Sequence, residues 1–166
     1  MGEKYFMDTY KDYKFFMREA IKEAEKSVTE SGIPIGAVLV MDDKIISKGH
    51  NRLIQENSSI LHAEMDCIEN AGRLTGEEYQ KTTLYTTLSP CPMCSGAVLL
   101  YKIPRVVIGE SLTLSGPEKL LEKNGVKVIN LKMKECQDIL DKYIQANPEQ
   151  WKNELEKVAG TTQLFF

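Results

Sequence analysis

The sequence predicts an α/β protein of three layers, α/β/α, built on a central mixed five-stranded sheet. Strand-like runs alternate with amphipathic helical stretches along the chain, the pattern of a sheet covered by helices on both faces. Two connections then make the sheet mixed. Asp42-Asp43 between two strand-like runs reads as a tight antiparallel hairpin, whereas a strand at 83–88, a helix and a strand at 105–109 in succession require a parallel crossover.

Taken in order, residues 13–31 form the first helix, with Phe16, Ala20, Ala24 and Val28 on one apolar face and Gly32 at its end. Strands follow at 35–40 and 44–49. Ser58 and Ser59 are N-cap residues for a helix over about 60–71, which carries Leu61, Met65 and Ile68 at helical spacing and stops at Gly72. The strand at 83–88 leads into Ser89 as N-cap and Pro90 at the first helical position, opening a helix that runs on to Tyr101. After the strand at 105–109 come a helix at 117–123, a strand at 126–131 and helices at 134–146 and 148–158. All of 1–166 is read as a single domain, because nothing along it resembles a linker, a repeat or a low-complexity tract.

Two short segments carry the chemistry, His62-Ala63-Glu64 and Pro90-Cys91-Pro92-Met93-Cys94. His62, Cys91 and Cys94 are three ligands of the kinds zinc prefers and leave a tetrahedral ion one further position, while Glu64 is a carboxylate beside the metal that need not bind it. That is the pattern of zinc-dependent nucleobase deaminases, so hydrolytic removal of an amine is the expected reaction. Two thiolates offset the charge of the ion and make it a milder acid than a tri-histidine site, which raises the value of a neighbouring base. Positions two apart on a helix diverge by roughly 200°, so His62 and Glu64 converge only where a helix begins. Cys91 and Cys94, three apart, share a helix face. Both segments are thereby expected at helix N-termini, where free N–H groups and the dipole favour thiolate over thiol.

Each segment taken singly is weak. A Cys-x-x-Cys equally fits a redox pair or half of a structural zinc knuckle, and the presence or absence of a fourth ligand separates those readings from a catalytic site. Cys67, about 140° around the helix from His62, and the isolated Cys136 are expected in the core as small apolar groups.

At 166 residues, 42% hydrophobic and 27% charged, the chain can bury a continuous core. Four cysteines give no disulfide framework, and no N-terminal apolar run reads as a signal peptide or a membrane span, so a cytoplasmic setting without membrane attachment is expected. A net charge of −3 and a pI near 5.5 weigh against an extended phosphate-binding surface, which favours small neutral substrates over nucleic acid.

Beyond the zinc segments, the runs Gly32-Ile33-Pro34-Ile35-Gly36, Gly49-His50-Asn51, Leu74-Thr75-Gly76, residues 82–90, Ile103-Pro104-Arg105 and a tryptophan near the C-terminus are co-linear with one family. On these residues the chain resembles the fungal-type cytosine deaminases of the cytidine-deaminase-like superfamily. The resemblance implies conversion of cytosine to uracil and ammonia, one Zn2+ per subunit, a homodimer, and a C-terminal helix serving as a lid. It implies that Asn51 and the backbone N–H of Ala63 hold the pyrimidine carbonyl. By the same match Glu64 contacts the adjacent ring nitrogen and shuttles protons, and the carbonyl of Ser89 accepts from the departing amine. Ile33 and Trp151 line or close the pocket. Read without the family, Asn51 fits a turn after Gly49 as readily as a ligand contact, and Trp151 fits a core position.

Departures from the family bear on the substrate. Leu114 stands where those enzymes have an aromatic that stacks on the base, a contact worth roughly 1–3 kcal/mol per base, and Glu154 stands where they have an aspartate over the ring. Pro92 and Ala63 look instead like the purine and nucleoside branches of the superfamily. Isocytosine, creatinine, guanine or an adenine derivative are therefore alternative substrates. A tRNA adenosine deaminase, which would need a basic channel, and a non-catalytic zinc module are further readings. Phe165 and Phe166 in the 160–166 tail are expected to dock on a neighbouring subunit, and the apolar run 97–101 is either a subunit interface or packed on its own sheet.

Overall fold

A computed structural model describes residues 10–158, so the 160–166 tail lies outside the described residues. The chain runs α1 (Tyr10–Thr29), β1 (Gly36–Met41), β2 (Lys44–His50), α2 (Ala63–Asn70), α3 (Gly76–Tyr79), β3 (Thr82–Leu88), α4 (Pro92–Leu100) and β4 (Arg105–Glu110). It continues through α5 (Glu118–Lys123), β5 (Lys127–Asn130), α6 (Lys134–Ala146) and α7 (Pro148–Val158). The five strands form one sheet in the order β2-β1-β3-β4-β5. β1 pairs antiparallel with β2 and β3, while β3, β4 and β5 are mutually parallel. This is the mixed sheet expected from the hairpin and the crossover. Asp42 and Asp43 take φ of 50° and 59°, the left-handed pair that a two-residue hairpin of this twist requires and that aspartate tolerates.

Strand side chains alternate between two covered faces. Leu39, Leu84, Val106 and Ile108 pack with Ala63, Cys67 and Val98 from α2 and α4, whereas Val38, Tyr85 and Val107 pack with Phe16, Met17 and Ala20 of α1 and with Cys136 of α6. Period-two alternation with both faces apolar is what places helices on each side of the sheet. A third cluster of Ile33, Leu53, Leu88, Leu140, Tyr143 and Trp151 joins α6 and α7 to the carboxyl ends of the strands. Cys67 and Cys136 are buried and free, as expected of small apolar residues. No helix among the described residues is long and apolar enough to cross a membrane.

Four local expectations need correction. Val28 is 47% exposed, and Ser27 is fully buried in its place, because the inward face of α1 drifts with the 3.6-residue period. Helix α2 begins at Ala63 with His62 as its extended N-cap; the Ser58 hydroxyl instead accepts the N–H groups of Ile60 and Leu61 in the preceding turn. Helix α4 begins at Pro92 with Cys91 as N-cap, so the proline rule holds for the second proline rather than for Pro90 after Ser89. The short helix α3 went unforeseen, although Thr75 and Glu78 form a reciprocal capping box whose Thr-x-x-Glu spacing is legible in the sequence.

One close approach fixes α2 against the sheet. A Cβ on Gly49 of β2 would lie 2.2 Å from the backbone nitrogen of Cys67 and 2.8 Å from the Ala63 carbonyl oxygen, so only glycine lets the helix carrying the His62 segment seat this deeply. A Gly49→Ala substitution should cost on the order of 2 kcal/mol or more, because backbone rather than a flexible side chain would have to move. Urea denaturation of zinc-loaded protein measures this, and an unchanged midpoint would mean that α2 can retreat freely.

Candidate metal centre and active site

The ligand-bearing residues sit at two helix starts. His62 is the N-cap of α2 with φ −63° and ψ 161°, so its imidazole leaves the helix before the helical rotation begins and can meet Glu64 on the same side. Cys91 is the N-cap of α4, where its Sγ accepts the Cys94 N–H at 3.5 Å. The ligand atoms of His62, Cys91 and Cys94 lie within 4.8 Å of one another. Cys91 Sγ is 3.6 Å from Cys94 Sγ and 3.5 Å from His62 Nδ1. Tetrahedral zinc, with bonds of about 2.3 Å to sulfur and about 2.0 Å to nitrogen, sets neighbouring ligands roughly 3.8 Å and 3.5 Å apart. The donor set therefore fits zinc in both chemistry and spacing, and no fourth His, Cys, Asp or Glu joins the group among the described residues. That absence distinguishes the site from a four-ligand knuckle.

Electrostatics at the centre follow from burial and from the two cysteines. Hydrogen bonding from Cys94, and then from His62, pulls the Cys91 thiol down to about 4 against the opposing effect of burial. Cys94 is pushed well above its ordinary value, first by serving as donor to Cys91 and then by burial. Burial pulls His62 downward, but the neighbouring Cys91 thiolate outweighs it and the net shift is up. Glu64 is 3% exposed, and burial, followed by repulsion from Cys91, raises its carboxyl above the usual range. Its Oε2 lies 3.4 Å from Cys94 Sγ, and its Oε1 accepts the Thr86 hydroxyl at 3.1 Å. Thr86 is equally close to the Leu88 carbonyl oxygen, so its single proton is shared between the two acceptors.

These groups open into a cavity of about 410 Å³, within the size range of small-molecule sites. Every sequence-predicted site residue except Cys94 lines it. His62, Ala63, Glu64 and Cys91 form one end with Ser89. Asn51, Ile33 and Leu114 line the cavity as well, and α7 contributes Trp151 and Glu154. Cys94 is buried directly behind, linked to Cys91 and Glu64. Trp151 is both things the sequence allowed, a core residue at 7% exposure and a cavity wall. Glu154 pairs with Lys157 on the same helix at 2.7 Å.

Several supporting contacts escaped the sequence reading, those around the expected Asn51 among them. Asn51 is 1% exposed, and its Oδ1 accepts the Leu53 N–H at 3.1 Å, which orients the side-chain amide. Its backbone carbonyl is held from behind by the Ser27 hydroxyl at 2.8 Å and by Gln55 Nε2 at 2.9 Å. Asp66 accepts the His50 N–H at 3.1 Å and so ties the end of β2 to α2. Thr86 had a readable signal, a polar residue at an inward position between Leu84 and Leu88 of β3; Ser27 and Gln55 are 28 residues apart and had none.

Comparison with known proteins agrees with this geometry. The family model for the cytidine and deoxycytidylate deaminase zinc-binding region matches residues 10–110. A cytosine deaminase of Candida albicans is 49% identical over 145 residues, covering 87% of this chain and 97% of its own length. A tRNA-specific adenosine deaminase of Streptococcus pyogenes is also 49% identical, but over 98 residues, and the chain spans only 62% of that protein's length. Among solved structures, a tRNA:A34 deaminase superposes with a TM-score of 0.63 at 30% identity, covering 76% of this chain and 99% of the other. The guanine deaminase of Bacillus subtilis gives 0.52 at 31% identity, covering 69% and 70%.

In zinc-free protein, Cys91 should react with iodoacetamide at a rate nearly independent of pH above about 5, because its thiolate is already formed there. Cys67 and Cys136, both pushed by burial to about 12, should stay unmodified, and zinc should protect Cys91. Mass spectrometry of the alkylated chain reads the result, and a Cys91 rate rising steadily to pH 9 would show an ordinary thiol.

Proposed function

We propose, from the premise that this chain belongs to the cytidine and deoxycytidylate deaminase family, that it hydrolyses free cytosine to uracil and ammonia as a zinc enzyme of one 1–166 domain. The observation that carries the free-base reading is the contribution of α7 to the cavity. Trp151 and Glu154 stand over the same space as Glu64 and Asn51, so a base still attached to a polynucleotide would have to lead its sugar and phosphates past that helix. The cytosine deaminase relative, matched over 87% of this chain, supports the same choice over the Streptococcus pyogenes tRNA deaminase, matched over 58%.

Bound by His62, Cys91 and Cys94, zinc supplies Lewis-acid activation of water at neutral pH. The remaining work belongs to side chains and backbone. Glu64 takes a proton from the attacking water on Oε2, the oxygen beside Cys94, while Thr86 holds Oε1 in place. It returns protons to the ring nitrogen and to the departing amine, and the burial that raises its pKa makes it a stronger base for taking them. Asn51 Nδ2 and the Ala63 N–H donate to the ring carbonyl, and the Ser89 carbonyl accepts from the amine. Leu88, Ile33 and Trp151 exclude bulk water around the ring.

The proposal extends to the setting. The four cysteines are all free, which fits the reducing cytoplasm. Recovery of a free pyrimidine is a salvage reaction. Homodimer formation would cover Leu100, 72% exposed at the end of α4, while Ala97 and Val98 of the same helix face the chain's own sheet.

Ammonia release from zinc-loaded protein, offered cytosine, isocytosine, creatinine, guanine and adenine in parallel, tests the substrate. Cytosine should turn over fastest, and a preference for another ring would transfer the assignment to that ring. Glu64→Gln should keep zinc at one per chain and lower turnover by about a thousandfold; a variant still within tenfold of the parent would remove the carboxylate from the reaction. Leu114→Phe, which restores an aromatic face, should lower KM for cytosine by about tenfold, and an unchanged KM would mean that this wall does not touch the ring.

A further inference from the structure

Behind the cavity wall lies a carboxylate that the proposed reaction does not use. Glu110 closes β4 and is 2% exposed. Its Oε2 accepts two backbone N–H groups, from Leu112 at 2.7 Å and from Thr113 at 3.0 Å. Its backbone carbonyl accepts the Ser89 N–H at 3.0 Å. The next residue in the chain, Leu114, is a wall of the cavity packed against the Ile33, Leu88 and Trp151 cluster. Leu112, by contrast, is 80% exposed, so the segment is not held by burying its own apolar residues throughout.

We propose that Glu110 is a positioning residue for substrate, its buried carboxylate fixing the 111–114 turn and with it the Leu114 wall. This rests on the reading of the cavity as the site of an amino-bearing ring. Three features support it. Two N–H groups converge on one side-chain oxygen at the point where the chain leaves the sheet, which closes the turn from one end. The other end of the segment is pinned as well. Ser89 Oγ accepts the Gly116 N–H at 3.0 Å and donates to Glu118, and a Cβ on Gly116 would lie 1.8 Å from the Pro90 carbonyl oxygen. Lastly, Glu110 Oε1 and Thr113 Oγ1 are buried with no hydrogen-bond partner among the described residues. A carboxylate kept in place with one oxygen unsatisfied is a poor device for stability alone. The Glu110 side chain thus acts on the cavity through the turn that carries Leu114.

The geometry separates reach from charge. Glutamine offers a carbonyl oxygen at the same distance that can accept both N–H groups, whereas aspartate keeps the charge but is one methylene too short. Zinc-loaded Glu110→Gln should therefore retain KM within threefold, while Glu110→Asp and Glu110→Ala raise it at least tenfold with kcat within threefold and zinc at one per chain. Amide hydrogen exchange at Leu112 and Thr113 should quicken in the aspartate and alanine variants and stay slow in the glutamine variant. A parental KM in Glu110→Asp, or a glutamine variant as impaired as the aspartate one, overturns the proposal, and so does a kcat loss that follows zinc loss. Should the alanine variant not fold, the glutamine and aspartate pair decides. If the parent protein releases ammonia from none of the rings, the deaminase reading is what has failed; the exchange rates then still decide whether Glu110 fixes the wall.

Discussion

Two helix starts held side by side at one edge of the sheet are the constraint on which the rest of this molecule depends. His62 before α2 and Cys91 before α4 project donors from residues that are still extended, and Cys94 follows within the first turn. The seating of α2 requires Gly49 at the foot of the helix, and the start of α4 is favoured by the proline at its first position. Because both helices point their N-termini into the same space, their unpaired N–H groups favour the anionic form of whatever gathers there. Thiolate, carboxylate and metal are accommodated by the same arrangement of backbone.

A buried acid is costly, and this site keeps two of them for different purposes. Glu64 sits beside Cys94 with its ionised form disfavoured by burial and by the Cys91 thiolate, which makes it a stronger base than an exposed carboxylate. Asp66, two residues further along α2, faces away from the metal and accepts from the His50 backbone and from Arg52. The helical rotation between positions two apart is what divides the pair into a group for chemistry and a group for architecture.

The cavity is assembled from distant parts of the chain. Its floor comes from the ends of β2 and β3, one wall from the segment after β4, and its roof from α7, whose Trp151 belongs to the same apolar cluster as Ile33 and Leu88. The common feature is the carboxyl edge of the parallel strands, where successive crossovers leave a crevice. Polar residues of the cavity are themselves held from behind, as Asn51 is by Ser27 and Gln55. Precise placement of a small planar substrate needs such a supporting layer, since a displacement of about 1 Å is enough to spoil a hydrogen bond.

The sequence by itself determined the layered fold, the hairpin at Asp42-Asp43 and the zinc segments. Periodicity, turn chemistry and ligand type are local properties, readable within a few residues. It also located Cys67 and Cys136 in the core, and the spacing argument for His62 and Glu64 required the helix start that the structure has. Helix starts were displaced by two or three residues, from Ser59 to His62 and from Ser89 to Cys91, because the residues that cap these helices are chosen by the geometry of the centre rather than by intrinsic capping preference. Only the tertiary structure decided which polar residues support the site. Ser27 meets Asn51 and Thr86 meets Glu64 across more than twenty residues of chain, and no local pattern encodes a contact between residues that the fold alone brings together.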